Sequence, residues 1–181
     1  MNMNDYMDLR SRFSDPEVFE AARAKFFEEH PDCPRPVPVE CLNLIMRREF
    51  AEEILSGQKR VEIRAYSQHY VDRLYDKAVI AYEDKHWDDP LMRQQMLDFN
   101  DSVRAVKKIH FHNYNNSWFL DVECVDNNTV LLVDEQVKYL QDEYGCHEFD
   151  EELERLNRCN AEERPMYFFF AVGRILDTNL I

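Results

Sequence analysis

The sequence predicts an α+β fold: a small mixed or closed β-barrel with peripheral helices and an N-terminal helical extension. About six short segments show the alternation, or the β-branched and aromatic content, that is typical of strands. Helical patterns lie between them without the regular alternation of strand and helix that a doubly wound sheet requires. A length of 181 residues fits one compact domain with a small appended element.

The first 40 residues form the predicted helical extension. Asp15 and Pro16 indicate a helix start, because an aspartate caps the first turn and a proline suits its first position. Apolar residues then recur at helical spacing up to Glu29, and a proline-rich connector follows. The domain organisation we predict is therefore an extension in residues 1–40 and a main domain in residues 41–181.

The front of the main domain is predicted as strand, helix and strand. The segments are a strand at 42–46, a helix at 48–56 that Gly57 ends, a strand at 58–64 and a third strand candidate at 78–82. In the second strand, Val61 and Ile63 point to one face, whereas Glu62 and Arg64 point to the other. A charged row therefore lies on one side of this strand.

The rest of the main domain contains an insertion, a hairpin, two helices and a last strand. The predicted segments are a surface helix at 89–97 within an insertion at about 84–102, hairpin strands at 103–114 and 117–125, a strand or helix entry at 130–133, helices at 134–144 and 150–157, and a central strand at 166–176. In the first hairpin strand, Ile109 and Phe111 lie on one side, and Lys108, His110 and His112 lie on the other. The hairpin is thus expected to have a basic outer face.

Composition limits the partners of the chain. Lys and Arg number 22 against 36 Asp and Glu, a formal charge of −14, so the whole molecule repels phosphate and anionic lipid. By segment, the balance is −4 in residues 1–40, zero in residues 41–110 and −10 in residues 111–181. We expect no binding to bulk duplex DNA, and a small nucleotide target would suit the neutral middle segment.

Termini, apolar runs and cysteines indicate the compartment. The N-terminal residues lack the basic start and apolar stretch of a secretory signal. The longest apolar run, residues 166–172, is far shorter than the about 20 residues that span a bilayer. Five cysteines occur without CxxC spacing, which is typical of reduced thiols. The sequence therefore predicts a cytoplasmic protein without a membrane span, a zinc ribbon or a cofactor motif.

The motif with the most specific pattern follows the first predicted helix. That helix ends in Ser56 and Gly57, and the chain continues as Lys59-x-x-Glu62-x-Arg64. One interpretation is a solvated ion pair on a strand, worth about 0–1 kcal/mol. The other is a recognition site, since a guanidinium and a carboxylate can both bind the edge of a base.

A strand, a helix ending in a Ser-Gly turn and the Lys-x-x-Glu-x-Arg motif together resemble the opening of the ASCH domain, the activating-signal-cointegrator homology family. Residues 66–74 resemble the aromatic and basic linker of a bacterial and phage branch of that family, and residues 167–176 resemble its last strand. The resemblance covers residues 41–177. It implies a β-barrel of the PUA-like superfamily, whose members bind RNA or modified nucleotides in a cleft beside the front motif.

The function that this resemblance implies is binding of RNA or of a modified nucleotide. Arg64 can hold a phosphate or a base edge with two parallel hydrogen bonds, and Glu62 can accept one from an exocyclic amine. Lys59 would contact a phosphate or, if desolvated, act as a base. Tyr66 and Trp87 are candidate stacking surfaces for unpaired bases.

An amidohydrolase is the first alternative. One ASCH branch hydrolyses the acetyl amide of N4-acetylcytidine with a Lys, a Thr three positions later and a later Glu. Here the Lys is Lys59, Glu62 occupies the Thr position, and the later acid is Glu143, with Glu148 as the other possibility. Since a carboxylate cannot act as an ordinary acyl-accepting hydroxyl, Glu62 or Glu143 would be a proton relay.

Basic residues form a second constellation of ligand-binding candidates. Arg47 and Lys108, with His110 and His112 on one strand face, could track a phosphate backbone. Two histidines on one face are also a possible metal pair, but no third ligand is set by spacing, so we predict no metal site.

Acidic residues dominate the two C-terminal helical segments. A solvated helical face is the ordinary interpretation. The second alternative function is a protein-interaction module, in which acidic side chains such as Glu151 and Glu154 bind a basic partner.

Overall fold

The computed structural model describes residues 1–180, and they divide into two units. A helical unit contains Met1–Val37 and Tyr75–Arg104, and a sheet unit contains Pro38–Leu74 and the chain from Ala105 onward. The stretch Tyr75–Arg104 contains the segment predicted as an insertion at about 84–102. It belongs to the same unit as the N-terminal extension.

Four helices make up the helical unit. They are α1 (Met3–Arg10), α2 (Pro16–Glu29), α5 (Lys77–Lys85) and α6 (Pro90–Phe99). Their shared core contains Tyr6, Phe26, Val79, Met96 and Phe99, all of which are buried. Because Met96 and Phe99 belong to α6, that helix is part of a core and the prediction of a surface helix was wrong.

The strand predicted at residues 78–82 was also wrong, since these residues lie inside α5. The Asp76 side chain accepts hydrogen bonds from the Ala78 and Val79 amides at 3.0 and 3.3 Å, which caps a helix. Val79 and Tyr82 are both buried, three positions apart on one helix face. A run of five apolar residues fits a strand or a helix, and here the aspartate cap decides in favour of the helix.

The sheet unit contains five strands among the described residues, one fewer than predicted. They are β1 (Leu42–Ile45), β2 (Val61–Ala65), β3 (Lys108–His112), β4 (Phe119–Leu131) and β5 (Met166–Thr178). The strand order is β1-β3-β4-β5-β2, with β1 parallel to β3 and every other pair antiparallel. The fold is α+β, and its mixed sheet curls into a half-barrel.

Four helices accompany the sheet: α3 (Arg48–Leu55), α4 (Gln68–Leu74), α7 (Asp134–Tyr144) and α8 (Asp150–Arg158). Buried residues of α7 and α8 pack with Val61, Val130 and Phe169 in one core cluster. Strand β5 is buried over Phe168–Ala171 on both faces, as predicted for a central strand. Its register with β2 pairs Glu62 with Phe170 and Arg64 with Phe168. The charged row of β2 therefore lies on the face of the sheet that points away from α7 and α8.

Within residues 1–180, no helix combines the length and the apolar composition that crossing a membrane requires.

Candidate functional site

A cleft of about 330 Å³ opens beside Lys59, and we call it the Lys59 cleft. Its lining residues are Glu53, Gln58, Lys59, Arg60, Val61, Tyr144, Gly145, Cys146, His147 and Glu148. Both walls follow a helix that ends at a glycine in the left-handed conformation, with φ of +79° at Gly57 and +62° at Gly145. These two turns bring segments far apart in sequence to one place.

Lys59 lies between two carboxylates. Its ammonium donates a hydrogen bond to Glu148 and lies 3.7 Å from Glu62 Oε2. Glu62 Oε1 lies 2.8 Å from Arg64 Nη2. The Lys59 and Glu62 side chains are only 12% and 9% exposed, so the motif is a mostly buried ion network and a solvated ion pair does not describe it.

Burial raises the pKa of the Glu62 carboxyl above its ordinary value of 4.5, and the nearby Arg64 and Lys59 charges oppose that rise. Because the pKa is raised overall, the effect of burial on it is larger than the opposing effect of the two cations. The folded protein therefore binds this proton more tightly than the unfolded chain does.

Glu62→Gln should remove a pH dependence of stability. A raised folded pKa stabilises the fold at low pH, and that contribution is lost as pH rises through the folded value. Relative to Glu62→Gln, the wild-type protein should lose free energy of unfolding from about pH 4 upward, by at most about 1.4 kcal/mol per pH unit. Urea unfolding of both proteins from pH 4 to pH 8 measures the difference, and two parallel profiles would contradict it.

Arg64 also joins the two outermost strands of the sheet. Its Nη2 donates to the carbonyl oxygen of Ile45 at 2.9 Å, although Ile45 belongs to β1 and Arg64 to β2. Its Nε is buried without a hydrogen-bond partner among residues 1–180. The side chain predicted to bind a ligand is therefore already engaged with a backbone carbonyl and with Glu62.

Tyr66 follows β2 and stacks on Phe168. Their ring centroids are 5.2 Å apart with an angle of 11° between the planes. Tyr66 nevertheless remains 44% exposed. Phe168 thus holds a partly exposed aromatic ring in a defined orientation, which is what a stacking surface needs.

The other basic candidates lie apart from Lys59, with no described contact to it. Lys108 Nζ and His110 Nδ1 contact Asp121 at 2.9 and 2.5 Å, and His112 Nδ1 contacts the Asn113 carbonyl oxygen at 2.9 Å. Although burial disfavours the ionised form, hydrogen bonds from Lys108 and His110 lower the pKa of Asp121. The polar side chains of this face therefore already have partners within the protein.

Arg47 is also separate from the Lys59 network. Its side chain is exposed and pairs with Glu49 at 3.6 Å. Among the described residues, no group of three or more His, Cys, Asp or Glu side chains could hold a metal ion.

The structure places Glu148, and not Glu143, against Lys59. Glu143 is exposed on α7 and does not line the cleft.

Sequence reasoning did not identify Tyr144, Cys146 and His147, which line the Lys59 cleft. The glycine that ends α7 was the available signal, because such a turn redirects the chain. Burial raises the pKa of the Cys146 thiol, which disfavours its thiolate form.

Comparison with known proteins found no relatives. No family model matches the chain, and no curated protein or solved structure matches it either. The ASCH resemblance therefore stays a prediction from the sequence.

Proposed function

We propose that this protein binds a nucleoside, or one unpaired nucleotide of RNA, in the Lys59 cleft. The observation that carries the proposal is the meeting of Lys59 and Glu148, 89 residues apart in sequence, at the wall of this cleft. Its volume of about 330 Å³ lies within the range of small-ligand pockets. The proposal includes a PUA-like type for the half-barrel and a cytoplasmic location, where RNA is available as a partner.

The chemistry of the pair favours a base that carries an amine. Lys59 can donate to a carbonyl or a ring nitrogen, and Glu148 can accept from an exocyclic amino group. Cytosine and adenine present such a donor beside an acceptor on their pairing edge. Two carboxylates beside Lys59 repel a phosphate, so the base and not the phosphate is the group recognised.

Lys59→Ala should weaken the binding of cytidine by about 10-fold to 100-fold, since a hydrogen bond to a charged group is worth about 1.5–3 kcal/mol. Isothermal titration at low salt with cytidine, uridine and a short single-stranded RNA measures the effect. Glu148→Gln changes a residue at the cleft wall and should weaken cytidine binding in the same direction. The matched control is Lys138→Ala, which breaks a lysine–carboxylate pair of 2.8 Å on the exposed face of α7.

Absence of binding by the wild-type protein, or equal binding by Lys59→Ala and Lys138→Ala, would overturn the proposal. The second candidate function is an amidohydrolase. The contact of Lys59 with Glu148 favours it, because Glu148 supplies the later acid of that activity. The same titration with N4-acetylcytidine distinguishes this activity from simple binding. Acetate release by the wild-type protein and its loss in Lys59→Ala would assign that activity in place of simple binding.

A further inference from the structure

We propose a second binding site, in which the edge of β4 accepts a basic peptide as an added strand. A groove of about 550 Å³ runs between the C-terminal half of β4 and helix α7. Its lining residues are Asp126, Asn128, Thr129, Val130, Glu135, Gln136, Tyr139 and Phe169. We call it the β4 groove. It shares no lining residue with the Lys59 cleft, so this proposal does not depend on nucleoside binding.

Strand β4 is longer than one of its two neighbours. It pairs with β5 as far as Leu131, but β3 pairs with it only over residues 119–123. Within residues 1–180, the segment 129–131 therefore has a partner strand on the β5 side alone. A strand edge of this kind can pair with another extended chain.

The hydrogen bonds show which amides of this segment point away from β5. Leu132 donates its amide to the Pro165 carbonyl, on the β5 side of the strand. Because amides alternate along a strand, those of Thr129 and Leu131 point the other way. Each donates to a side-chain oxygen: Thr129 to Asn128 Oδ1 and Leu131 to Gln136 Oε1, both at 2.7 Å.

Two side-chain amides thus occupy the positions that the carbonyls of a neighbouring strand would take. Exchanging an amide side chain for a peptide carbonyl replaces one hydrogen bond with a similar one. The added strand would therefore leave no backbone amide of Thr129 or Leu131 unsatisfied.

The charge of the groove selects the peptide. Asp126 and Glu135 line it, and no Lys, Arg or His is among its lining residues. The Tyr139 ring is 46% exposed, and its hydroxyl donates to Asp126 at 2.7 Å. Lysine and arginine fit this wall, since their aliphatic stems can lie on the ring while the charge meets the carboxylates.

The probe is an acetylated and amidated hexapeptide of alternating lysine and valine, titrated into the full chain and followed by NMR. We expect the largest shifts at the Thr129 and Leu131 amides. Glu135→Lys should weaken the peptide by about tenfold or more, through like-charge repulsion. Glu17→Lys is the matched control, because Glu17 is an exposed acid in the first turn of α2 as Glu135 is in the first turn of α7, and it should change affinity by less than about twofold.

Backbone pairing has its own test. Alternate amides of an extended peptide face opposite edges, so N-methylation of one set, either the lysines or the valines, should weaken binding by about tenfold. Methylation of the other set should leave it within about threefold. Equal binding by both methylated peptides and the parent would overturn the proposal. So would equal binding by Glu135→Lys and Glu17→Lys, or the same amide shifts with a single-stranded RNA.

Discussion

Arg64→Ala should lower the free energy of unfolding by about 3–5 kcal/mol, the range found when one partner of a buried ion pair is removed. The variant leaves Glu62 buried with only Lys59 nearby, and it removes the donor to the Ile45 carbonyl. Both losses act on the same place, where the two outermost strands of the half-barrel are linked. Urea unfolding at pH 7, followed by circular dichroism, measures the change.

Two further variants make this result specific. Arg64→Lys keeps the charge, but one ammonium cannot reproduce the planar fork of a guanidinium, so we expect an intermediate loss of about 1–2 kcal/mol. Arg174→Ala breaks a pair with Glu123 at 3.0 Å whose arginine is 80% exposed, and it should cost less than about 1 kcal/mol. If Arg64→Ala costs no more than Arg174→Ala, the contact between the edge strands does not stabilise the fold.

Phe168→Ala should lower the free energy of unfolding by about 3–5 kcal/mol, because it opens a cavity in a fully buried part of β5. The same ring supports two aromatic residues of the segment after β2, with centroid distances of 5.2 Å to Tyr66 and 6.1 Å to Tyr70. Chemical denaturation gives the stability. Near-UV circular dichroism should also lose signal, since both tyrosines lose the ring that orders them.

Phe168→Leu should recover most of that stability, because it keeps most of the side-chain volume. Leu176→Ala is the control on the same strand. Leu176 is 49% exposed, and its truncation should change stability by less than about 1 kcal/mol. Similar costs for Phe168→Ala and Leu176→Ala would show that Phe168 is not a central support.

Elements with strong local signals were predicted well. Helix α7 begins and ends where the sequence predicted, at residues 134 and 144, because Gly145 provides the left-handed end that a helix prefers. The alternation in β3 was also confirmed: Ile109 and Phe111 are buried, and the intervening His110 is partly exposed. In α5 the apolar run was too short to separate helix from strand, and there the prediction failed.

The candidate site was predicted in part. Alternation along β2 placed Glu62 and Arg64 on one face, and the structure has them there in contact. Sequence reasoning put Glu143 first as the later acid and kept Glu148 as the other possibility, and the acid that contacts Lys59 is Glu148. Choosing between two glutamates five residues apart requires the path of the chain after α7, which spacing along the sequence does not specify.

The sequence by itself determined the ends of α7 and the faces of β2 and β3, because these depend on neighbours within a few residues. Only the tertiary structure decided that Glu62 is buried, that Arg64 reaches Ile45 and that Glu148 meets Lys59. Burial and long-range pairing depend on how distant segments pack, and the energy of a charged group changes with the water that packing removes. The same residues that would form a weak surface ion pair therefore become a buried network in the folded protein.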